Sequence, residues 1–222
     1  EQKDSNSKAI HAALFEAGKN GGGSVLLPKG TYCFDICNTP EYLPEYASTA
    51  METACILIAY DNIILAGAGM EKTFIKTKGD FSVVDGRVKR AYGIRILPNE
   101  QKMIEHIGFR DFDMDGCCHG TGNVHWPADV NTGDGWDISH KGICLHGNKI
   151  GTLELERICV HGYKGELWYA DTRIRNVVAR HCKTYDTNGQ CYNMSAQNVL
   201  VEYCHFGREL QCPTDCVGAS EV

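Results

Sequence analysis

The sequence predicts an all-β protein, a parallel β-helix whose first coil is closed by an N-terminal helix. A two-strand unit recurs in the second half of the chain at intervals of 22 to 24 residues, and its apolar positions align between units. The one segment with helical spacing comes before any strand. A period in the twenties made of short strands is typical of a solenoid, in which each coil buries its apolar face against its neighbours.

The segment DSNSKAIHAALFEAGKNGGG predicts the cap helix, near residues 6 to 18, within a cap region that covers residues 1–23. Ile10, Ala13, Leu14 and Ala17 recur at helical spacing. The glycine run that begins at Gly21 ends the helix. We expect the helix to plug the first coil, because an open stack end is an unpaired sheet edge.

Residues 24–116 contain the first coils. SVLLPKGTYCF predicts a strand that a Pro-Lys-Gly turn interrupts. CILIAYDNIILAGAGMEKTFIKT predicts three short strands, around Ile56–Ile58, Ile63–Leu65 and Phe74–Lys76. The chain therefore turns every few residues instead of forming long hairpins.

The repeat itself has two strands. The first strand of each unit begins at Gly93, Gly142, Gly165 and Gly189, and the second at Ile107, Leu153, Val177 and Val199. The step from Gly93 to Gly142 is about one period longer than the others, which indicates an inserted loop at residues 117–140. The further coils cover residues 141–222. We therefore predict one β-helix domain over residues 1–222, which is a fragment of a longer chain.

The second strands of the repeat predict columns of stacked side chains. The inward columns are Phe109, Leu155, Ala179 and Val201; Phe112, Ile158, Cys182 and Cys204; and Met114, Val160, Thr184 and Phe206. The outward columns are Asp113, Cys159, Lys183 and His205; and Asp115, His161, Tyr185 and Gly207. Nearly every inward member is apolar, as a shared core requires.

The N-terminal half resembles the pectate-lyase-like superfamily of right-handed parallel β-helices. DSNSKAIHAALFEAGKNGGGSVLLPKGTY is similar to that superfamily's cap helix, Gly-Gly-Gly-x-Val stretch and Leu-Pro-x-Gly-x-Tyr turn, and NIILAGAGMEKTFIKT to the Gly-x-Gly turn that follows. The resemblance implies a right-handed parallel β-helix (solenoid) with an N-terminal cap helix. Its members include polysaccharide lyases, glycoside hydrolases, alginate epimerases and phage tailspikes, so the fold does not choose an activity.

The activity motifs of these enzymes are incomplete here. The polygalacturonase set of Asn-Thr-Asp, Asp-Asp, Gly-His-Gly and Arg-Ile-Lys is absent as a set. The alginate-epimerase motif Tyr-Gly-Phe-Asp-Pro-His would fall near GYKGELWY, where Tyr163 and Gly165 match loosely and Leu167 stands in the place of Asp. This departure argues against an epimerase of that type.

The outward columns supply the candidate catalytic residues, which are Asp113, Asp115, His161 and Lys183. The two aspartates share one strand face, an arrangement that suits acid/base or nucleophile roles in glycoside hydrolysis. His161 and Lys183 suit removal of the proton next to a uronate carboxyl, which is lyase chemistry. The alternative interpretation is a solvated polar ladder on a solenoid face.

The candidate substrate-binding residues are aromatic rings and imidazoles in the loop and the coils: His125, Trp126, Trp136, Trp168, Tyr185, Tyr192 and His205. Rings at these positions stack on sugar faces if they point outward. The register at Trp168 is open, because either Leu167 and Tyr169 or Glu166 and Trp168 point inward. In the second case Trp168 is a core residue.

The loop also contains ion-ligand types. Asp129, Asp134 and Asp137 are the candidate calcium ligands, since carboxylates suit that ion. Zinc is the weaker option for Cys117, Cys118, His119 and His125, because adjacent cysteines are poor ligand spacing. The sequence predicts no definite metal site and no required cofactor. The alternative is a loop that orders itself by its own packing.

Two function classes fit these patterns. The first is an enzyme, a polysaccharide lyase or glycoside hydrolase that binds a linear polymer, acidic polymers included, along the β-helix face. The second is a non-catalytic glycan-binding or structural module such as a tailspike or adhesin segment, for which a virion spike predicts a homotrimer. The net charge of −6 argues against nucleic acid, and no apolar run is long enough to span a membrane. Both classes predict an extracellular or virion-associated protein.

Overall fold

The computed structural model describes residues 2–35, 52–77, 83–84, 87–88, 90–97, 103–117, 140–145, 149–163, 165–187 and 190–207. Within them one helix, α1 (Gln2–Lys19), precedes fifteen strands. The strands are β1 (Gly23–Leu26), β2 (Gly30–Phe34), β3 (Glu52–Ile58), β4 (Ile63–Ala66), β5 (Thr73–Thr77), β6 (Val83–Val84), β7 (Arg87–Val88), β8 (Arg90–Ile96), β9 (Ile104–Asp115), β10 (His140–Cys144), β11 (Ile150–Tyr163), β12 (Trp168–Arg180), β13 (Lys183–Thr187), β14 (Tyr192–Glu202) and β15 (His205–Phe206).

The parallel strands stack on three faces. The first face contains β1, β4, the first parts of β9 and β11, and the last parts of β12 and β14. The second contains β2, β5, the last parts of β9 and β11, and then β13 and β15. The third contains β3, β8, β10 and the first parts of β12 and β14. The predicted right-handed parallel β-helix is confirmed.

The predicted inward columns are also confirmed. Leu155 pairs with Phe109 on one side and with Ala179 on the other. The backbone N–H of Cys182 donates to Cys204 Sγ at 3.5 Å, so these two thiols lie in the same column. Apolar columns of this kind form the core, and full burial of each large side chain contributes about 1.5–3 kcal/mol relative to exposure.

The corner between the first and second faces is a stack of left-handed residues. Asp111, Arg157, His181 and Tyr203 occupy equivalent positions in successive coils, and each has a φ between 50° and 63°. Arg157 donates to both carboxylate oxygens of Asp111, at 2.7 and 3.0 Å, and the rings of His181 and Tyr203 stack at 5.0 Å. These contacts offset the cost of left-handed backbone, roughly 1–2 kcal/mol per residue.

The helix closes the first coil, as predicted. Its buried residues are Ser7, Ile10, His11 and Leu14, and it packs against β1, β2 and β3. The backbone N–H of Leu57 in β3 donates to His11 Nε2 at 3.1 Å, so the helix satisfies part of the sheet edge. The helix begins at Gln2, earlier than predicted, and Ala13 lies on its exposed face.

Five of the eight cysteines that the structure describes are buried: Cys55, Cys144, Cys159, Cys182 and Cys191. Three of these lie in the main apolar cluster, where a thiol acts as a small apolar filler. Among the described residues, no helix is both long and apolar enough to cross a membrane.

Burial raises the pKa of the Cys182 thiol to about 12 from its usual 9.0. The folded state therefore holds this proton more tightly than the unfolded chain does. The resulting stabilisation is complete below pH 9 and is lost as the pH rises toward 12. Between pH 8.5 and 10.5, we expect the free energy of unfolding to fall by about 2 kcal/mol more in the wild type than in Cys182→Ala.

Urea titrations at both pH values measure this difference. Cys33→Ala removes a partly exposed thiol and serves as the control, because its pH dependence should follow that of the wild type. Parallel curves for the wild type and Cys182→Ala would show that the buried thiol does not contribute.

Candidate functional site

The outward columns of the second face gather the polar groups of the molecule's candidate site. The register aligns Asp113 with Cys159, Cys159 with Lys183, and Lys183 with His205, as predicted. Beside this column lies a second one, which contains Lys76, Asp115, His161 and Tyr185. Strand β5 extends both columns backward by one coil, to Phe74 and Lys76.

A hydrogen bond between a carboxylate and an imidazole lies at the centre of these columns. His161 Nε2 is 3.0 Å from Asp113 Oδ1, and the two side chains are 10% and 17% exposed. The ring of His161 stacks on that of Tyr185, with centroids 4.6 Å apart and planes 7° from parallel. Asp113 therefore holds the imidazole, and the imidazole in turn supports the Tyr185 ring.

Asp115 is directed toward the start of the inserted loop. It is the register partner of His161, as predicted, but its Oδ1 accepts a hydrogen bond from the backbone N–H of Cys117 at 2.7 Å. Its other oxygen lies 3.9 Å from Lys76 Nζ. Cys117 itself has a positive φ of 57°. Asp115 is thus buried and held in place by two neighbouring groups, the Cys117 N–H and the Lys76 ammonium.

The accessible rim of the site is made of Lys183, Tyr185 and His205, which are all exposed. Lys183 and His205 are direct neighbours on β13 and β15, and Tyr185 projects from the same side of β13 as Lys183. Burial raises the pKa of Tyr185 to about 12, so its hydroxyl keeps its proton at neutral pH. The rim therefore presents a cation, a protonated hydroxyl and an imidazole.

The predicted catalytic set is brought together on one face but lies at two depths. Lys183 belongs to the exposed rim, whereas Asp113, Asp115 and His161 lie in the preceding coils of the same columns and are largely buried. Catalysis by the three deeper residues stays a prediction, and their burial favours a positioning role. The pKa of the neighbouring Cys159 is raised to about 12. The main cause is burial of the thiol, and the second is the nearby negative charge of Asp113.

Two predicted sugar-binding rings are core residues instead. Trp168 is fully buried and aligns with Ile143, an inward residue of the third face. Tyr192 is its neighbour in the next coil, and their rings meet edge to face at 6.1 Å. The prediction for Trp168 is wrong because Leu167 and Trp168 are both buried in the apolar cluster, whereas Glu166 and Tyr169 contact Lys141. Tyr192, which packs against the same apolar cluster, is not an exposed platform either.

The predicted loop residues lie outside the described part of the chain. These are His125, Trp126 and Trp136, the calcium candidates Asp129, Asp134 and Asp137, and the zinc candidates Cys118 and His119. The structure describes the two ends of the insertion, Cys117 and His140. Cys117 is exposed and follows Asp115 by two residues, so the insertion leaves the wall beside the candidate site. Its path beyond Cys117 stays a prediction.

Sequence reasoning missed two groups of residues. The first is Lys76, which could have been found by continuing the outward column of Asp115 back to β5. The other group is a polar cluster on the third face, where Lys141 Nζ lies 3.1 Å from Glu166 Oε2 and 3.4 Å from the centroid of the Tyr169 ring. Arg95 in the same face packs over Tyr92 and donates to Cys144 Sγ at 3.3 Å. The ambiguous register of β12 concealed this cluster.

The segment that resembles the alginate-epimerase motif runs from the end of β11 at Tyr163 to the start of β12 at Trp168, and Lys164 within it lies outside the described residues. Leu167, which stands in the place of Asp, is fully buried in the apolar cluster. Leu167 has no ionisable group and lies in the core, so this position cannot exchange a proton with a substrate. Tyr169, two residues later, projects outward over Lys141.

Comparison with known proteins points to alginate-modifying enzymes. The chain is similar to mannuronan C5-epimerase AlgE6 of Azotobacter vinelandii, with 34% identity over 108 residues, which are 49% of this chain and 10% of the relative. It is 34% identical over 114 residues to alginate lyase 7 of the same organism, which covers 51% of this chain and 11% of that one. The chain thus spans about a tenth of the length of these relatives. No protein-family model matches it.

Solved structures agree with the sequence comparison. The A-module of the Azotobacter vinelandii mannuronan C-5 epimerase AlgE6 superimposes with a TM-score of 0.54 and 25% identity, covering 82% of this chain and 40% of that one. The resemblance to the pectate-lyase-like β-helix superfamily is confirmed. The AlgE4 A-module superimposes with a TM-score of 0.50 at 19% identity over 86% of this chain and 47% of that one, a likeness that concerns the fold alone.

Proposed function

We propose that this β-helix acts on a linear polyuronate of the alginate type and removes the proton next to the uronate carboxylate. That step is shared by C5-epimerases, which return a proton to the same carbon, and by lyases, which eliminate the glycosidic oxygen. The similarity to proteins named for each activity supports the substrate class. The observation that carries the proposal is the exposed rim of Lys183, Tyr185 and His205.

The rim contains one group for each requirement of the step. The Lys183 ammonium pairs with the uronate carboxylate and stabilises the charge that develops when the neighbouring proton leaves. His205 accepts that proton, since imidazole is the side chain that exchanges protons near neutral pH. Tyr185 donates a proton, to the carbon in an epimerase or to the leaving oxygen in a lyase. Neighbouring strands lie about 4.8 Å apart, so all three groups reach one sugar unit.

The deeper residues support this rim. Asp113 orients His161, and the stacked His161 ring limits the rotation of Tyr185. Lys76 lies three coils before Tyr185 in the same column, roughly 14 Å away at the usual strand spacing. Lys76 and Lys183 are therefore placed to contact carboxylates of different sugars in one extended chain.

Incubation of the 222-residue protein with mannuronan in deuterated water tests the proposal. For an epimerase, the expected results are deuterium at C5 and inversion of that carbon; for a lyase, the expected result is unsaturated chain ends with a C4–C5 double bond. Proton NMR detects the first two outcomes and ultraviolet absorbance the third. New reducing ends without unsaturation would indicate a hydrolase instead, and binding without exchange would favour the non-catalytic module. Polyguluronate, polygalacturonate and a neutral polysaccharide complete the substrate panel.

Lys183→Met is expected to weaken binding of mannuronan about 5- to 20-fold, because a charge-assisted hydrogen bond contributes roughly 1–2 kcal/mol. The dependence of affinity on salt should weaken as well, since screening acts on the lost ion pair. Titration calorimetry at two salt concentrations measures both effects. Lys8→Met, which removes an exposed lysine from the cap helix, is the control. Equal losses in the two variants would argue against a specific carboxylate contact.

A further inference from the structure

Three different metal-ligand types converge in the coils that precede the exposed rim of the site. Asp113 and Cys159 are direct register partners on β9 and β11, and His161 follows Cys159 by two residues on the same side of β11. One carboxylate oxygen, the Sγ atom and one imidazole nitrogen all lie within 4.8 Å of one another. The closest pair, His161 Nε2 and Asp113 Oδ1, is 3.0 Å apart.

This geometry is near that of a tetrahedral metal site. With zinc bonds of about 2.0–2.3 Å, neighbouring ligand atoms lie roughly 3.2–3.7 Å apart. The Asp113–His161 pair is already close to that separation, and a side-chain rotation brings the Cys159 thiol into range. We propose that Asp113, Cys159 and His161 form a binding site for a thiophilic divalent cation of the zinc class, with a fourth position left for water or a substrate oxygen.

The donor set decides the class of ion. Thiolate and imidazole are ligands of zinc and cobalt, whereas calcium and magnesium take oxygen ligands only in sites of this size. The local charge is compatible with a dication, because Asp113, Asp115 and a metal-bound Cys159 thiolate bring three negative charges against the two of Lys76 and Lys183. Binding displaces the thiol proton and leaves the lone pair of His161 Nε2 on the metal, with the ring proton on Nδ1.

A hydrogen-bonded cluster without metal is the competing account. In it, the Cys159 thiol donates to Asp113 and accepts from the Tyr185 hydroxyl. The two accounts differ in whether these residues bind an added metal ion. Metal binding can be measured without any substrate. The proposal therefore does not rest on the proposed function, whose rim residues it does not use as ligands.

Titration of the reduced, chelator-treated protein with Co²⁺ tests the site. The expected result is a thiolate-to-cobalt charge-transfer band and tetrahedral visible bands that saturate at one equivalent and disappear when Zn²⁺ is added. Cys159→Ser should lose the charge-transfer band. His161→Asn should lower the cobalt affinity by roughly a hundredfold or more. Loss of a residue that only supports a metal ligand typically costs less, about 10- to 100-fold. Cys33→Ser, which changes a partly exposed thiol elsewhere on the same face, should match the wild type.

Two results would overturn the proposal. The first is the absence of a charge-transfer band in the wild-type protein at a large excess of cobalt. The second is an unchanged band in Cys159→Ser, which would mean that other cysteines bind the ion. Circular dichroism shows whether each variant is folded. If Cys159→Ser does not fold, the cobalt affinity of His161→Asn tests the site in its place. Inactivity toward every polysaccharide would bear on the proposed function and leave these spectra unaffected.

Discussion

His205→Gln is expected to lower turnover of mannuronan by about 10²- to 10⁴-fold, the usual cost of losing a general base. Glutamine keeps the polar contacts of the side chain but cannot take up a proton near neutral pH. Binding of the polymer should remain close to that of the wild type, because Lys183 and Lys76 still meet its carboxylates. Deuterium exchange at C5, followed by NMR, measures the loss in an epimerase, and the absorbance of unsaturated chain ends measures it in a lyase. Titration calorimetry measures the binding.

His181→Gln is the matched control. His181 is also exposed, but it lies at the corner of the coil, where its ring stacks on Tyr203. It should keep wild-type turnover. Equal turnover of His205→Gln and the wild type on a verified substrate would remove His205 from the mechanism. The search for the base would then turn to His161 and to the polar cluster of the third face around Lys141.

Trp168→Ala is expected to destabilise the protein by about 3–5 kcal/mol, the range for removal of a large aromatic side chain from a core. The Trp168 ring is fully buried, and it meets Tyr192 and Phe206 edge to face. Its removal leaves a cavity that spans neighbouring coils, and the stacked backbone cannot collapse into it without losing strand pairing. Chemical denaturation measures the change in the free energy of unfolding.

Leu26→Ala tests whether this loss is specific to burial. Leu26 is 66% exposed, so its removal should change stability by less than about 0.5 kcal/mol. A stable Trp168→Ala variant that has lost affinity for polysaccharide would reinstate Trp168 as a sugar platform. Strong destabilisation would agree with the burial of Trp168 beside Ile143 and the other inward residues of the third face.

The repeat made the fold predictable because each coil solves the same packing problem. A one-residue error in the second strand of any unit would move Phe109, Leu155 and their partners to the solvent side, so one register alone buries the apolar residues. The same periodicity predicted that Asp113, Asp115, His161 and Lys183 share a face. In a stack of parallel strands, equivalent positions become neighbours without any long-range coincidence.

The first strand of each unit was less informative. GELWYA is apolar at successive positions, so alternation could not decide whether Trp168 points inward or outward. Burial against the neighbouring coils decided it, and the same choice turned Glu166 and Tyr169 toward Lys141. The sequence offered no sign of that cluster, because its members come from different coils and the order of pairing depends on the length of each turn.

The sequence by itself determined the parallel β-helix, its cap helix and the columns of the second face, since these follow from local periodicity repeated at a constant interval. Tertiary structure alone decided the depth of each polar group. Lys183, Tyr185 and His205 reach solvent, while Asp113, Cys159 and His161 in the preceding coils are largely buried, although all six alternate outward in the same way. The exposure of a side chain depends on what packs over it, and its direction depends on charged partners in neighbouring coils. The alternation of residues along one strand contains neither kind of information.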